Sequence, residues 1–509
     1  MIEVKLVKLV ASLTKSEKRN FKLFMNRNHR KSEELKQVVL FDIIERFESY
    51  HTKAIRKELV GLTAKHVHEL SLLLYRNILK SIRIMHSKET EYGIRETIDY
   101  AHLLYRRGLF ADGLELLAQA KKTAKLRQKH FLVYEIIDFE KKIESRHVTS
   151  SHQERARELT SEAIQTRLLL EAEGHWTELS LQLYDFYLKS GHSRTEDEKK
   201  IVEALFKRDW PERSAQHESL FYEQLYFLQS HVWYYYITQH FSMGFRYAVK
   251  WIELFERFPT FAEHEKFQLL KGYHNCLAVL FYCQDRTRFD WYKTKMQQFI
   301  VQEEGSFDEN TRLMAFSYSH LAQLNSIVME GTFSESVPYL TELETALELM
   351  EPKLDHHRLM IFRYKMSTIY FTMGNHKKCL QLLNKIIHND QKMLHEDVQS
   401  FARILNLITH YELGNIDLIF FQVKSVYRFL LKLDETQAIQ KEIIAFLRKM
   451  VSVSVDEVPT LFQAFYDNLA VINQDKYESR AFLYLDVLSW LESKMQNRLV
   501  EDVIREKRR

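Results

Sequence analysis

Residues 100–120 decide the fold, and they read YAHLLYRRGLFADGLELLAQA. Apolar and small side chains recur every three or four positions on both sides of Gly108, which is the spacing of one buried face on each of two helices. Glycine suits the turn between them because it has no Cβ to restrict the backbone. The stretch therefore predicts a helical hairpin.

Glycines recur along the chain at a nearly constant interval. Six of the 12 glycines stand 83, 53, 87, 43 and 40 residues apart, at Gly108, Gly191, Gly244, Gly331, Gly374 and Gly414. If the two longest gaps are double steps, the period is about 42 residues, which is typical of a stacked array of one supersecondary unit. The missing turns are then predicted near residue 150 and near residue 287, with a further turn within 451–459.

The composition fits helices joined by short connections. The 509 residues include 12 Gly and 5 Pro, too few for the many turns of a β-rich protein. A chain of this length either divides into domains or grows by repetition. We therefore predict an all-α protein with a basic helical N-terminal domain (1–90), a solenoid of about seven to eight helical hairpins (91–450) and a C-terminal helical cap (451–509).

Hydropathy and cysteine content indicate a cytoplasmic protein with no membrane partner. No stretch approaches 18 uninterrupted apolar residues, and the opening MIEVKLVKLV lacks the apolar core of a signal peptide. Cys276 and Cys283 stand about 10 Å apart along a helix, which is too far for a disulfide. Buried free thiols are expected.

The hairpin at 100–120 resembles the tetratricopeptide repeat (TPR). There, a first helix with a small residue at its eighth position packs on a second through a G-x-[FY]-x-x-A turn, which Gly108, Phe110 and Gly113 match here. Similar patterns occur around Gly331 and Gly374. The resemblance covers about residues 94–450 and implies a TPR-like α-α superhelix, although the repeats are longer than the 34 residues of a TPR. The run SLTKSEKRNFKLF (12–24) is also similar to the opening of an uncharacterised group of bacterial helical proteins, which implies no mechanism.

The TPR resemblance implies a binding surface for a protein or peptide. In such repeats the first helix of each hairpin supplies the concave wall, and carrying its positions over gives ten residues. Ile237 and Leu321 are two of them, and the other eight are the candidate partner-binding residues His102, Tyr105, Trp233, His240, Asn325, Tyr364, Phe371 and Tyr411. Tyr236 is a ninth candidate, because it lies with Trp233 in an aromatic-rich stretch (221–258). Tyrosine and tryptophan suit binding surfaces, but packing between repeats is the alternative role for these aromatics.

No sequence pattern predicts catalysis or a bound metal. His-Glu occurs four times, but the position four residues after each His holds Leu72, Phe221, Gln268 or Gln399, so none completes a zinc-binding H-E-x-x-H. The glycines are too dispersed to cradle a phosphate. We expect a non-enzymatic scaffold or adaptor without a cofactor or metal.

Charge is unevenly distributed, and this suggests an alternative function. Residues 1–90 carry 19 Lys or Arg and 10 Asp or Glu, whereas 301–351 carry Arg312 alone and ten acidic residues. Residues 52–86 have the outline of a helix-turn-helix, with Lys65, His66 and His68 at the start of its second helix. The alternative is therefore a ligand-sensing transcriptional regulator whose N-terminal domain binds nucleic acid. Contact with an acidic partner or with the acidic repeats is the other use left open for the basic charge.

Overall fold

The structure of the protein is a computed structural model. It describes residues 2–26, 32–87, 90–147, 154–193, 195–208, 220–388, 396–431, 438–450, 457–475, 478, 482 and 485–508. All regular secondary structure in these residues is helical, which confirms the all-α prediction. The chain divides into two compact units, Met1–Leu170 and Glu171–Arg509, here called the N-terminal and C-terminal units. The domain boundaries predicted at residues 90 and 450 stay predictions.

In its described residues the N-terminal unit holds eight helices and the start of a ninth. They are α1 (Ile2–Ser12), α2 (Lys15–Asn26), α3 (Ser32–Phe47), α4 (Thr52–Glu58), α5 (Ala64–Met85), α6 (Thr90–Arg106), α7 (Phe110–Leu126), α8 (His130–Glu144) and α9 (Arg155–Ser190), which continues into the C-terminal unit. Helices α1, α2 and α3 pack on α5. The buried stripe of α5 consists of Leu70, Leu74 and Ile78, whose spacing gives one apolar helix face.

Helix α2 begins at a capping box. The Thr14 amide donates to Glu17 Oε2 at 2.7 Å, and the Glu17 amide donates to Thr14 Oγ1 at 3.2 Å. This reciprocal pair satisfies amides that a helix start leaves without partners. It fixes the start of a helix that buries Phe21 and Met25.

The hairpin at 100–120 forms as its sequence predicts. Gly108 adopts a left-handed backbone (φ 80°) between α6 and α7. A Cβ on Gly113 would lie 3.3 Å from the Ala101 carbonyl oxygen, so the two helices approach closely at this point. Gly108 therefore makes the turn, and Gly113 allows the close contact.

The C-terminal unit continues with sixteen helices in its described residues. They are α10 (Glu196–Lys207), α11 (Phe221–Ile237), α12 (Phe241–Arg257), α13 (Pro259–Ala262), α14 (Lys266–Cys283), α15 (Arg286–Glu303), α16 (Glu309–Glu330), α17 (Val337–Met350), α18 (His356–Thr372), α19 (His376–Ile387), α20 (Glu396–Glu412), α21 (Ile416–Leu430), α22 (Ala438–Met450), α23 (Val458–Ile472), α24 (Val487–Gln496) and α25 (Val500–Lys507). Most successive helices pack on one another, and α14, α16 and α18 also pack directly in that order.

Left-handed residues mark a series of helix ends in this unit. They are Gly191, Gln239, Gln284, Gly331, Gly374 and Gly414. Gln284 confirms the turn predicted near residue 287, although the residue there is not glycine. The turn predicted near residue 150 lies outside the described residues, as do residues 451–456 of the turn predicted within 451–459.

Gly244 is the exception to the prediction that the spaced glycines mark turns. It lies inside α12, and a Cβ added at this position would lie 3.5 Å from the side chain of Val279 and 3.6 Å from that of Tyr235. Gln239 makes the turn instead, with φ 61°. Gly244 follows Gln239 by five residues, just as Gly113 follows Gly108, so its small size serves helix packing.

Acidic residues of the segment 301–351 pair with basic side chains of the same unit. The pairs are Glu303 with Lys266 (2.6 Å), Glu309 with Lys353 (2.7 Å), Glu344 with Lys378 (2.7 Å) and Glu351 with Arg363 (2.7 Å). Much of the local charge excess is therefore compensated by other helices. A search of the described residues for membrane-spanning helices found none of sufficient length and apolarity.

Candidate functional site

A cavity of about 260 Å³ lies within the C-terminal unit. Its walls come from α11, α14, α16 and α18, together with residues of the C-terminal segment 482–508. The central helices α14, α16 and α18 pack directly on one another, which brings together positions about 45 residues apart in sequence. The cavity has room for several water molecules or for a small organic group.

Four of the nine predicted site residues line this cavity. They are Tyr236, Asn325, Tyr364 and Phe371. Tyr364 and Phe371 are almost fully buried, at 4% exposure each, and stand on α18 two turns apart. Together with Phe281 and Leu321 they form a largely apolar and aromatic wall, the usual lining of a small-molecule or side-chain pocket.

Lys365 is the central polar side chain of the cavity. Its Nζ donates to Asn325 Oδ1 at 2.7 Å and lies 4.9 Å from the ring centre of Phe281. Among the described residues no carboxylate lies within ion-pair distance of this ammonium. The side chain is half-buried and opens into the cavity, and burial lowers the pKa of the ammonium to about 8. At pH 7 Lys365 is therefore charged and has no acid beside it.

His274 lines the cavity and is kept neutral mainly by its burial. Its ring stacks on that of Tyr318 with centroids 3.9 Å apart. Burial, and then the positive charges of Arg358, Lys271 and Lys365, lower the pKa of His274 to about 3, so it is neutral at pH 7. Burial together with Arg358 also lowers the pKa of Lys271 to about 8.

Helix α25 closes one side of the cavity. Arg508, just beyond its end, lines the cavity, and its Nη1 is buried without a hydrogen-bond partner among the described residues. Burial lowers the pKa of this guanidinium, and Asp486 opposes the shift. Asp486, the one acid among the described lining residues, accepts from the Ser489 amide at 3.0 Å and so caps α24.

Contacts between α25 and the end of α16 hold this wall in place. Arg505 Nε donates to the Gly331 carbonyl at 2.9 Å, and Glu501 Oε1 accepts from the Ser334 amide at 3.0 Å. Arg505 also pairs with Glu501 and Glu335. These charge-assisted contacts join residues about 170 positions apart.

Three other predicted residues of the C-terminal unit take packing or turn positions outside the lining. Trp233 is 8% exposed and packs on Tyr184 and Tyr187 with ring centroids 5.1 and 5.3 Å apart. His240 precedes α12, and its Nδ1 lies 3.1 Å from Thr238 Oγ1. Tyr411 packs near Trp490, with centroids 6.1 Å apart. Because Trp233 is buried and does not line the cavity, it does not face the space that a peptide would use.

The first two predicted residues belong to the N-terminal unit. His102 is exposed and stacks on Phe139, with centroids 3.7 Å apart. Tyr105 meets the same ring edge-on at 5.6 Å, and its hydroxyl accepts from Arg146 at 3.3 Å. These residues form a small aromatic cluster on α6 and α8.

The basic residues of the N-terminal unit are partly neutralised. Lys22 Nζ lies 2.9 Å from both Asp42 and Glu45, and Lys18 lies 3.5 Å from Glu45. The two helices of the helix-turn-helix outline predicted over 52–86 are present as α4 and α5, and Lys65, His66 and His68 at the start of the second helix are exposed. The basic residues Arg27, Arg30 and Lys31 lie outside the described residues.

Sequence reasoning missed the two cations of the cavity. Lys365 stands beside the predicted Tyr364 in a helix that is buried almost all round, and a lysine in such a helix was an available signal. Arg508 offered none, because its contact with the cavity depends on where the C-terminal segment folds. A search of the described residues for three or more clustered His, Cys, Asp or Glu side chains, as a metal would need, found none.

Comparisons of the chain with protein-family models, with curated proteins and with solved structures found no match.

Proposed function

We propose that this protein is a non-enzymatic adaptor that binds a segment of another protein through the cavity of its C-terminal unit. The supporting observation is the cavity itself, which combines an aromatic wall with a charged lysine that has no acidic partner among the residues that the structure describes. Binding surfaces commonly join large apolar contacts with a few oriented polar groups. We further propose that the helical hairpins form a TPR-like superhelix with the cavity on its concave side.

Filling the cavity tests this proposal. Ala278 lies on α14 and lines the cavity, so Ala278→Trp places a large side chain in the space that a ligand would use. Ala346→Trp is the control, because Ala346 is half-buried on α17 outside the lining. We expect affinity purification of the full chain from its native cells to enrich one partner with the wild type and the control, and to lose it with Ala278→Trp.

The result that ends this proposal is equal recovery of the same partner by all three proteins. Thermal unfolding accompanies the test, since overpacking destabilises a helix interface by about 1–3 kcal/mol. Equal unfolding temperatures of the two variants then assign the loss to the cavity.

A regulator that binds nucleic acid remains the alternative proposal. The exposure of Lys65, His66 and His68 at the start of α5 supports it, whereas the ion pairs of Lys18 and Lys22 reduce the charge available for phosphates. The full chain should then bind duplex DNA at 50 mM salt and lose affinity steeply towards 200 mM, as phosphate contacts require. Absence of binding at low salt ends this alternative.

A further inference from the structure

We propose that the cavity of the C-terminal unit is a carboxylate-binding site in which Lys365, oriented by Asn325, holds the carboxylate while the aromatic wall holds the apolar body of the ligand. The proposal rests on the proposed function in one respect, because it takes the carboxylate to belong to a peptide. A small organic acid has the same chemistry, and the experiment below separates the two sources.

Lys365 has donor capacity that the described residues leave unused. An ammonium has three N–H donors, and Asn325 Oδ1 accepts one of them at 2.7 Å. The neighbouring Phe281 ring offers a cation–π contact and no hydrogen bond. A buried cation usually has an acidic partner, since its desolvation is otherwise uncompensated. A ligand carboxylate supplies both the missing charge and the missing acceptors.

A second donor opens into the same space. Arg508 lines the cavity, and its buried Nη1 has no hydrogen-bond partner among the described residues. Lys271 adds positive charge nearby and helps to lower the pKa of His274, for which burial is the larger cause; Arg358 acts in the same direction but is paired with Asp355. The local field therefore favours an anion before any ligand contact is made.

The charge balance favours a monoanion. Lys365 and Arg508 are the fully basic side chains of the described lining, and Asp486 opposes them with one negative charge. The lining thus carries a net charge close to that of one cation. A phosphate monoester is largely dianionic at pH 7 and would also be repelled by Asp486. A carboxylate matches this charge.

The remaining walls specify what the carboxylate is attached to. Tyr364, Phe371 and Leu321 give a buried surface with little polarity. Such a surface favours an aromatic or branched aliphatic group, because apolar area removed from water is the main source of affinity. A peptide ending in a C-terminal phenylalanine has both parts of this ligand.

Calorimetric titration of the full chain at pH 7 tests the proposal with four probes. The probes are 3-phenylpropionate, its neutral amide, phenyl phosphate, and the peptide acetyl-Ala-Ala-Phe with a free carboxylate. We expect both carboxylates to bind, and the neutral amide to bind about 10–100-fold more weakly than 3-phenylpropionate, because a hydrogen bond to a charged group contributes that factor. Phenyl phosphate should also bind more weakly than 3-phenylpropionate, because its second negative charge exceeds the charge of the lining and Asp486 repels it.

Variants assign the effect to Lys365. Lys365→Met should lower the affinity for both carboxylates about 10–100-fold and leave the affinity for the amide unchanged. Lys353→Met is the matched control, because Lys353 is exposed and pairs with Glu309 outside the cavity. Asn325→Leu should weaken the carboxylates without abolishing binding, since Asn325 positions the ammonium.

Each outcome decides one question. Three results with the wild type would overturn the carboxylate site: equal affinity for 3-phenylpropionate and its amide, tighter binding of phenyl phosphate, or no binding of either carboxylate. The site is also overturned if Lys365→Met binds the carboxylates as tightly as the wild type does. If 3-phenylpropionate binds and the peptide does not, the carboxylate site stands, its ligand is a small organic acid, and the peptide-binding function fails.

Discussion

At the scale of single residues, Lys365 combines a cost to folding with a capacity to bind. Its ammonium is half-buried beside an aromatic ring, with Asn325 as its hydrogen-bond acceptor and no acid in ion-pair distance among the described residues. Residues that lower stability in this way are typical of binding sites, where a ligand completes the unfinished set of contacts. The role of Lys365 can therefore be tested by measuring how its replacement changes the free energy of unfolding.

Lys365→Met should stabilise the free protein below pH 8. The folded-state pKa of about 8 lies below the ordinary value of 10.5, so the unfolded chain binds the extra proton between these pH values. Stability of the wild type therefore rises with pH across this window. The free energy of unfolding of Lys365→Met should exceed that of the wild type by about 1–3 kcal/mol at pH 7, and it should increase less between pH 8 and pH 10.

Urea unfolding at pH 7 and pH 10 measures this effect. Lys353→Met serves as the control and should keep the pH dependence of the wild type, since its side chain is exposed. If the difference in unfolding free energy between Lys365→Met and the wild type is the same at both pH values, the charge of Lys365 does not lower the stability of the fold.

At the scale of helices, the two roles of glycine are separated by five residues. Gly108 makes a turn and Gly113 lets α6 approach α7, while Gln239 and Gly244 repeat this arrangement at α11 and α12. The spacing of glycines correctly predicted helix ends at five of the six positions, but it could not assign the role of Gly244, because a left-handed turn also accepts glutamine. Contact between helices decided which role Gly244 takes.

Gly113→Leu should destabilise the N-terminal unit by about 2 kcal/mol. A Cβ at this position meets the Ala101 carbonyl oxygen at 3.3 Å, and a backbone atom cannot move aside as a side chain can. Gly174→Leu is the matched control within α9, where a Cβ meets nothing within 4 Å, and it should be neutral or mildly stabilising. Chemical denaturation followed by circular dichroism compares the two, and equal effects would contradict the close contact.

Arg505→Met should loosen helix α25. The change removes the bond to the Gly331 carbonyl and the ion pairs with Glu335 and Glu501. We expect amide hydrogen exchange at 500–507 to speed up about tenfold or more, since hydrogen bonds to a charged group contribute on the order of 1.5–3 kcal/mol and those of Arg505 to Gly331 and Glu501 are half-buried.

Arg498→Met is the control for this prediction, because Arg498 pairs with Glu506 at an exposed site. Exposed pairs contribute about 0–1 kcal/mol, so exchange should change little. If Arg505→Met leaves exchange at 500–507 as slow as in the control, these contacts do not hold the cavity wall.

At the scale of the whole molecule, the two units have separate hydrophobic cores. Leu6, Phe21 and Leu74 belong to a core of the N-terminal unit, whereas Trp251 and Phe362 belong to cores of the C-terminal unit. All 6 tryptophans stand after residue 170 in the sequence, so tryptophan fluorescence reports on the C-terminal unit. This allows a ligand effect to be assigned to one unit.

A ligand of the cavity should raise the thermal midpoint seen by tryptophan fluorescence at pH 7. At 3-phenylpropionate concentrations 100 times the dissociation constant, the stabilisation is about 2.7 kcal/mol. It should disappear by pH 10, since Lys365 loses its proton above a pKa of about 8 and a carboxylate then gains no charge partner. A midpoint shift of the same size at both pH values would show that Lys365 does not hold the carboxylate.

The sequence by itself determined the elements of this protein. Helical periodicity, the capping box at Thr14 and the turn at Gly108 depend on neighbours within a few positions, so local physics specifies them. The tertiary structure alone decided which predicted residues meet. Tyr236, Asn325 and Tyr364 line one cavity while Trp233 packs outside it, and Arg508 joins them from a position more than 100 residues away in the sequence. These contacts depend on how helices pack across large sequence separations, and a local pattern does not contain that information.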